Sequence, residues 1–132
     1  MAADGRDVTR RYTGRVARQL PLFAYGTLTD EALVAGLLER PVRSEPARLL
    51  DFELLELEGF GYPTVFAAEG EEVEGKLYGG LAQEDLRRLD AYEGVEEGLY
   101  RRATARVAVA QGEPREAFVY LVTEKTLGRF LR

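Results

Sequence analysis

Glu93 closes the run Leu89-Asp90-Ala91-Tyr92-Glu93-Gly94, in which Gly94 supplies a common helix stop. The C-terminal end of a helix dipole is negative, so a carboxylate is disfavoured there, and both that end and desolvation raise a carboxyl pKa. A carboxyl tuned this way suits a general base that must take a proton from an ammonium group. The plainer alternative is a solvated acidic cluster, because Glu96 and Glu97 follow at once.

A second feature is the turn Tyr25-Gly26-Thr27-Leu28. A glycine at the end of a strand lets a ligand approach the backbone, and a helix N-terminus just beyond it offers unpaired N–H donors and a positive dipole end. Such a turn suits a carboxylate. Strand–glycine–helix turns also occur in many folds for structural reasons alone.

What the chain lacks narrows the chemistry. It contains no Cys and no His, which removes disulfides, thiolate nucleophiles, imidazole bases and the commonest transition-metal ligands. Lysine occurs only as Lys76 and Lys125, and serine only as Ser44. Proton transfer therefore falls to carboxylates, tyrosines and backbone dipoles.

The net charge of −5 is unevenly spread: residues 1–20 carry five Arg against Asp4 and Asp7, so the remainder is the more acidic. An acidic body is a poor match for a polyanion, and nucleic acid is not an expected partner. No apolar run approaches the roughly 18–20 residues that span a bilayer, so no membrane association is expected. Asn is absent and Arg far exceeds Lys, a hint of a thermophilic source that a GC-rich genome would also explain.

The elements that must position these residues follow from periodicity. At 132 residues the chain has the size of one domain, read as residues 21–132 preceded by a basic extension, 1–20. In the extension Val8, Tyr12, Val16 and Leu20 recur every four residues, with Gly14 interrupting the stripe. Leu22 to Tyr25 form a short strand. A helix over Asp30 to Glu39, capped by Thr27 or Thr29, turns Leu33, Val34, Leu37 and Leu38 to one face and stops before Pro41. Strands are expected over Ala47–Leu57, Thr64–Ala67 and Val73–Tyr78. A turn at Gly59 to Pro63 separates the first two, and a solvated hairpin tip at Glu69 to Glu72 the last two.

Gln83–Tyr92 reads as a second helix, with Leu86 and Leu89 inward and Arg87 and Arg88 outward. Tyr100–Ala110 alternates, placing Ala103, Ala105, Val107 and Val109 opposite Arg102, Thr104, Arg106 and Ala108. After the turn Gln111 to Pro114, Ala117–Val122 returns as its antiparallel partner. The sum is an α+β fold: a small, curved, mostly antiparallel sheet or barrel with two helices at its edge.

The combination is more specific than its parts. A Tyr-Gly-Thr-Leu turn after the first strand, a Leu-Asp-x-x-Glu-Gly helix end, then Gly-Leu-Tyr and a hairpin closing on Val119-Tyr120-Leu121 resemble the γ-glutamylcyclotransferase-like superfamily over residues 22–122. The resemblance implies a backbone cradle at Tyr25, Gly26, Thr27 and Leu28 for the γ-glutamyl group. It also implies Glu93 as general acid/base and Tyr100 and Tyr120 in the cavity wall. Asp90 matches an acidic position of the same motif and reads as support for the helix end. Tyrosines half-buried on strands are also ordinary packing.

The implied reaction closes the γ-glutamyl group to 5-oxoproline and releases an amine, in a cytoplasmic, cofactor-independent enzyme without a metal. Where γ-glutamyl amino acid cyclotransferases carry Tyr-Gly-Ser-Asn, this chain has Thr27 and Leu28. It looks more like the AIG2-like branch that includes γ-glutamylamine cyclotransferases. The leaving group therefore ranges over amino acids, polyamines, lysine side chains and other amines. The competing function is a non-catalytic domain that keeps the fold and binds a small metabolite.

Overall fold

The computed structural model describes residues 19–61, 63–110 and 112–130. The expected stripe at Val8, Tyr12 and Val16, and the turn positions Tyr62 and Gln111, lie outside them. Five strands close into a barrel: β1 (Leu22–Ala24), β2 (Ser44–Glu56), β3 (Pro63–Tyr78), β4 (Tyr100–Val109) and β5 (Arg115–Val122), in the order β1-β3-β2-β4-β5. Each neighbouring pair is antiparallel except β1 and β5. Those two meet in parallel at Leu22↔Phe118, where the Phe118 N–H donates to the Pro21 carbonyl at 2.8 Å.

Alternation along the strands sorts the apolar side chains into two cores. Phe23, Leu49, Val65, Leu77, Val107 and Val119 pack together as the barrel filling. Leu22, Ala24, Tyr78 and Tyr120, from the opposite strand faces, pack with Val34, Leu38, Leu86 and Leu89 of the helices. The strands thus bury both faces over part of their length. Gly75 makes the β1–β3 contact possible: a Cβ there would lie 2.2 Å from the Ala24 carbonyl oxygen and 2.6 Å from Phe23 Cζ.

The expected helices are present as α1 (Glu31–Leu38) and α2 (Gln83–Glu93). Asp30, rather than Thr27 or Thr29, caps α1, accepting from the N–H groups of Ala32 at 2.9 Å and Leu33 at 3.3 Å. Thr29 is occupied inside the preceding turn, where its hydroxyl donates to the Gly26 carbonyl at 2.6 Å. A third helix, α3 (Glu124–Phe130), was not expected; it is short and contains Gly128, which weakens any helical signal in sequence. Thr123 starts it, accepting from the Thr126 N–H at 3.2 Å.

The expected hairpin tip at Glu69 to Glu72 is corrected. These acids are exposed, but they lie inside one continuous β3, in a bulge where the register jumps from Leu50↔Glu72 to Phe52↔Ala67. Asp51 faces the bulge with a positive φ of 66°, and its carboxylate accepts the Gly70 N–H at 2.9 Å. A bulge of this kind bends the sheet and helps it close. Among the described residues, no helix is long and apolar enough to cross a membrane.

Candidate functional site

Between the end of β1 and the end of α2 lies a cavity of about 340 Å³, lined by Tyr25, Gly26, Thr27, Leu28, Glu93, Tyr100 and Tyr120 together with Phe23, Ala24, Pro63, Tyr92 and Leu99. That volume is in the range of small-molecule sites. All seven residues singled out in the sequence meet here, drawn from β1 and its turn, the last residue of α2, and strands β4 and β5.

The turn after β1 is a short 3-10 helix, Gly26–Thr29, and Gly26 takes a φ of 80°. In 3-10 geometry an N–H bonds the carbonyl three residues back, so the first groups, those of Gly26 and Thr27, find no acceptor within the turn. Both residues are exposed at the cavity. Leu28 is buried beneath them, and its carbonyl accepts the hydroxyl of Tyr78 at 2.7 Å. Burial pushes the Tyr78 hydroxyl up to about 12, so it stays a donor throughout the ordinary pH range. Tyr78 escaped sequence reasoning because it reads as an ordinary strand terminus.

Glu93 is the last residue of α2, and Gly94 turns the chain away with a φ of 71°. The helix end is closed by the Asp90 carbonyl, which accepts the N–H groups of Gly94 and Val95. The positive φ demands glycine, and a Cβ at position 94 would also crowd the Leu99 side chain, 2.7 Å from its Cδ1. Glu93 is partly buried in the cavity while Glu96 and Glu97 are exposed, which separates it from the solvated acids that follow. Desolvation raises its carboxyl from the ordinary 4.5 to about 7. It is the sole charged side chain among the described residues that line the cavity.

The tyrosines are tied to one another. The Tyr25 hydroxyl donates to the Tyr120 carbonyl at 2.5 Å, and the Tyr120 hydroxyl donates to Asp90 Oδ1 at 2.6 Å. Burial pushes the Tyr25 hydroxyl above its ordinary 10; Thr64 acts in the opposite direction, while Tyr100 and Glu93 reinforce the rise. Tyr120 is raised by burial and then by its bond to Asp90. Neither ionises at neutral pH, so both serve as neutral hydrogen-bonding groups.

Asp90 thus does more than the helix support expected of it: its backbone closes the helix while its carboxylate holds Tyr120. Arg102, read in sequence on the face of β4 opposite Ala103, Ala105, Val107 and Val109, lies against the same carboxylate. Its Nε is 3.0 Å from Asp90 Oδ1, without the alignment of a hydrogen bond, so the contact is charge to charge. Among the described residues no group of three or more carboxylates is placed to hold a metal ion.

The sequence profile of the family described as gamma-glutamyl cyclotransferase, AIG2-like, matches residues 22–130. AIG2-like protein D of Arabidopsis thaliana is 34% identical over 86 residues, which is 65% of this chain and 55% of that protein. AIG2-like protein C of the same plant is 36% identical over 86 residues, 65% of this chain and 48% of its own. The chain spans about half the length of the curated relatives it matches. A solution structure from Arabidopsis thaliana superposes with a TM-score of 0.71 at 28% identity, covering 83% of this chain and 72% of that one. A solved gamma-glutamyl cyclotransferase superposes with a TM-score of 0.66 at 27% identity, over 79% of this chain and 66% of that one.

Proposed function

The chain belongs to the gamma-glutamyl cyclotransferase, AIG2-like family, and from that premise we propose that it cyclises the γ-glutamyl group of a small γ-glutamyl amide to 5-oxoproline with Glu93 as general acid and base. The observation that carries this reading is a lone carboxyl, raised to about 7 by burial, in a cavity shared with Gly26 and Thr27, the exposed residues that begin the turn after β1.

In a γ-glutamyl amide the α-nitrogen reaches the γ-carbonyl carbon to close a five-membered ring, so holding the chain folded removes much of the barrier. Glu93, as the carboxylate, takes one proton from the α-ammonium group. A base with a midpoint near 7 is strong enough to accept that proton and is still largely ionised just above neutrality. The freed amine attacks the γ-carbonyl carbon, and negative charge builds on its oxygen. The N–H groups of Gly26 and Thr27 are the donors available to receive it.

As the bond from the γ-carbon to the amide nitrogen breaks, protonated Glu93 returns its proton to that departing nitrogen. The second ammonium proton leaves the ring nitrogen and is taken up by the released amine. The products are 5-oxoproline and the amine, and Glu93 ends as the carboxylate it began as. Tyr100 and Tyr120 form the wall against which the glutamyl chain folds. We place the enzyme in the cytoplasm and assign residues 1–20 no part in the chemistry.

The deciding experiment measures 5-oxoproline release, followed by mass spectrometry, from a panel of γ-glutamyl amino acids and γ-glutamyl amines. Release by the wild type that vanishes in Glu93→Gln supports the reading. A folded wild type that binds members of the panel without releasing 5-oxoproline replaces it with the non-catalytic binding domain.

A further inference from the structure

We propose that Arg102 is a positioning residue of the site: by pairing with Asp90 it lets that carboxylate hold Tyr120 beside Glu93 without adding a second uncompensated negative charge to the helix end. Asp90 and Glu93 stand three residues apart on α2, a spacing that brings side chains to the same face. The hydroxyl of Tyr120, a buried cavity wall residue, donates to Asp90 at 2.6 Å. A hydroxyl donated to a carboxylate is a strong, charge-assisted bond. An unpaired carboxylate one turn away on the same helix face would, however, disfavour ionisation of the proposed base.

Arg102 removes that conflict. It sits directly across the β4–β5 ladder from Tyr120, with Nε 3.0 Å from Asp90 Oδ1 and its guanidinium 4.6 Å from the centre of the Phe118 ring. The ring and the strand together fix a side chain that would otherwise extend into solvent. The remaining groups around Glu93 do not supply this compensation. From the barrel, the cavity is shared by Tyr25 just after β1, Tyr100 on β4, Tyr120 on β5 and Pro63 of β3, none of which carries a cationic side chain. The following loop carries exposed Glu96 and Glu97, and Lys125 of α3 is turned to the Glu97 carbonyl at 3.4 Å.

The importance of the pair for turnover rests on the cyclotransferase reading, but its electrostatic effect is measurable without turnover. Titration of the Glu93 carboxyl carbon by 13C NMR in the full chain reads the site directly. Asp90→Asn leaves the guanidinium alone near Glu93 and lowers its midpoint; Arg102→Met leaves the Asp90 carboxylate alone and raises it, each by about 0.5 pH unit or more. The double variant returns the midpoint close to the wild-type value, and Arg102→Lys, which keeps the charge, also restores it. If Arg102→Met does not fold, Arg102→Gln takes its place. Shifts in the same direction, or no shift in folded variants, overturn the proposal and leave a purely structural ion pair. Opposite shifts in a protein that releases no 5-oxoproline uphold the pair and remove only the cyclotransferase reading.

Discussion

The hydroxyl of Tyr78, at the end of β3, reaches the carbonyl of Leu28 at 2.7 Å and so fastens the underside of the turn whose upper side faces the cavity. The two residues are 50 positions apart. One strand therefore fixes a loop on another, and the direction of the Gly26 and Thr27 N–H groups depends on it.

Tyr78→Phe removes that bond and leaves a buried carbonyl without its donor, which costs about 1–2 kcal/mol of stability. Urea unfolding checks this loss. Because the turn is held less firmly, KM for a γ-glutamyl amide in the proposed reaction rises by several-fold, whereas a purely structural bond would leave KM unchanged.

Glu93→Gln keeps the size of the side chain and removes its proton-accepting function. Turnover falls by about 10²–10⁴-fold, with the circular dichroism spectrum and unfolding cooperativity unchanged. Steady-state 5-oxoproline release checks it, and retained activity would move the base to another residue.

Glu93 also makes stability depend on pH. Its carboxyl is raised in the folded protein from 4.5 to about 7, so the fold favours the protonated form. The stabilisation is complete below about pH 4.5 and is lost as pH rises through about 7, amounting to about 1–3 kcal/mol. Glu93→Gln carries no such titration. Unfolding free energies of the two proteins, measured from pH 4 to 8, should diverge in slope over that window.

Gly94→Ala forces a side chain into a left-handed turn and against Leu99 Cδ1 at 2.7 Å. It lowers stability by about 1–3 kcal/mol and shifts Glu93 relative to the turn after β1, so kcat falls beyond what the loss of stability explains. Thermal unfolding and kcat at a temperature where the variant is fully folded separate the two effects.

Gly75→Ala has a purely architectural cost. The new methyl would stand 2.2 Å from the Ala24 carbonyl oxygen, and that oxygen belongs to backbone that cannot rotate aside. The variant should lose about 3 kcal/mol or more, seen as a large fall in the urea midpoint.

Much of this was legible in the sequence because its signals are local. The strand–turn–helix from Leu22 to Leu38, the α2 stripe of Leu86 and Leu89, and the β4–β5 hairpin each follow from the periodicity of a few neighbours. The fusion of two expected strands into β3 was hidden because the Glu69 to Glu72 bulge has the polarity of a turn, and only its pairing with Asp51 shows that the ladder continues. Barrel closure through Leu22↔Phe118 has no sequence signature at all. At the site, family motifs pointed to Glu93 and the tyrosines, whereas Tyr78 and Arg102 act through partners distant in the chain.

The junction of β1 and β5 at Leu22↔Phe118 joins the two ends of the barrel's chain and so closes late in folding. The bond from Tyr25 to the Tyr120 carbonyl links positions 95 residues apart, and β1, only three residues long, has little to hold it until its neighbours β3 and β5 are in place. Contacts so remote in sequence carry a large loop-closure cost and tend to form late. A chain growing from its N-terminus thus emerges with the residues of the turn after β1 early and must wait for β5 before the cavity closes around them.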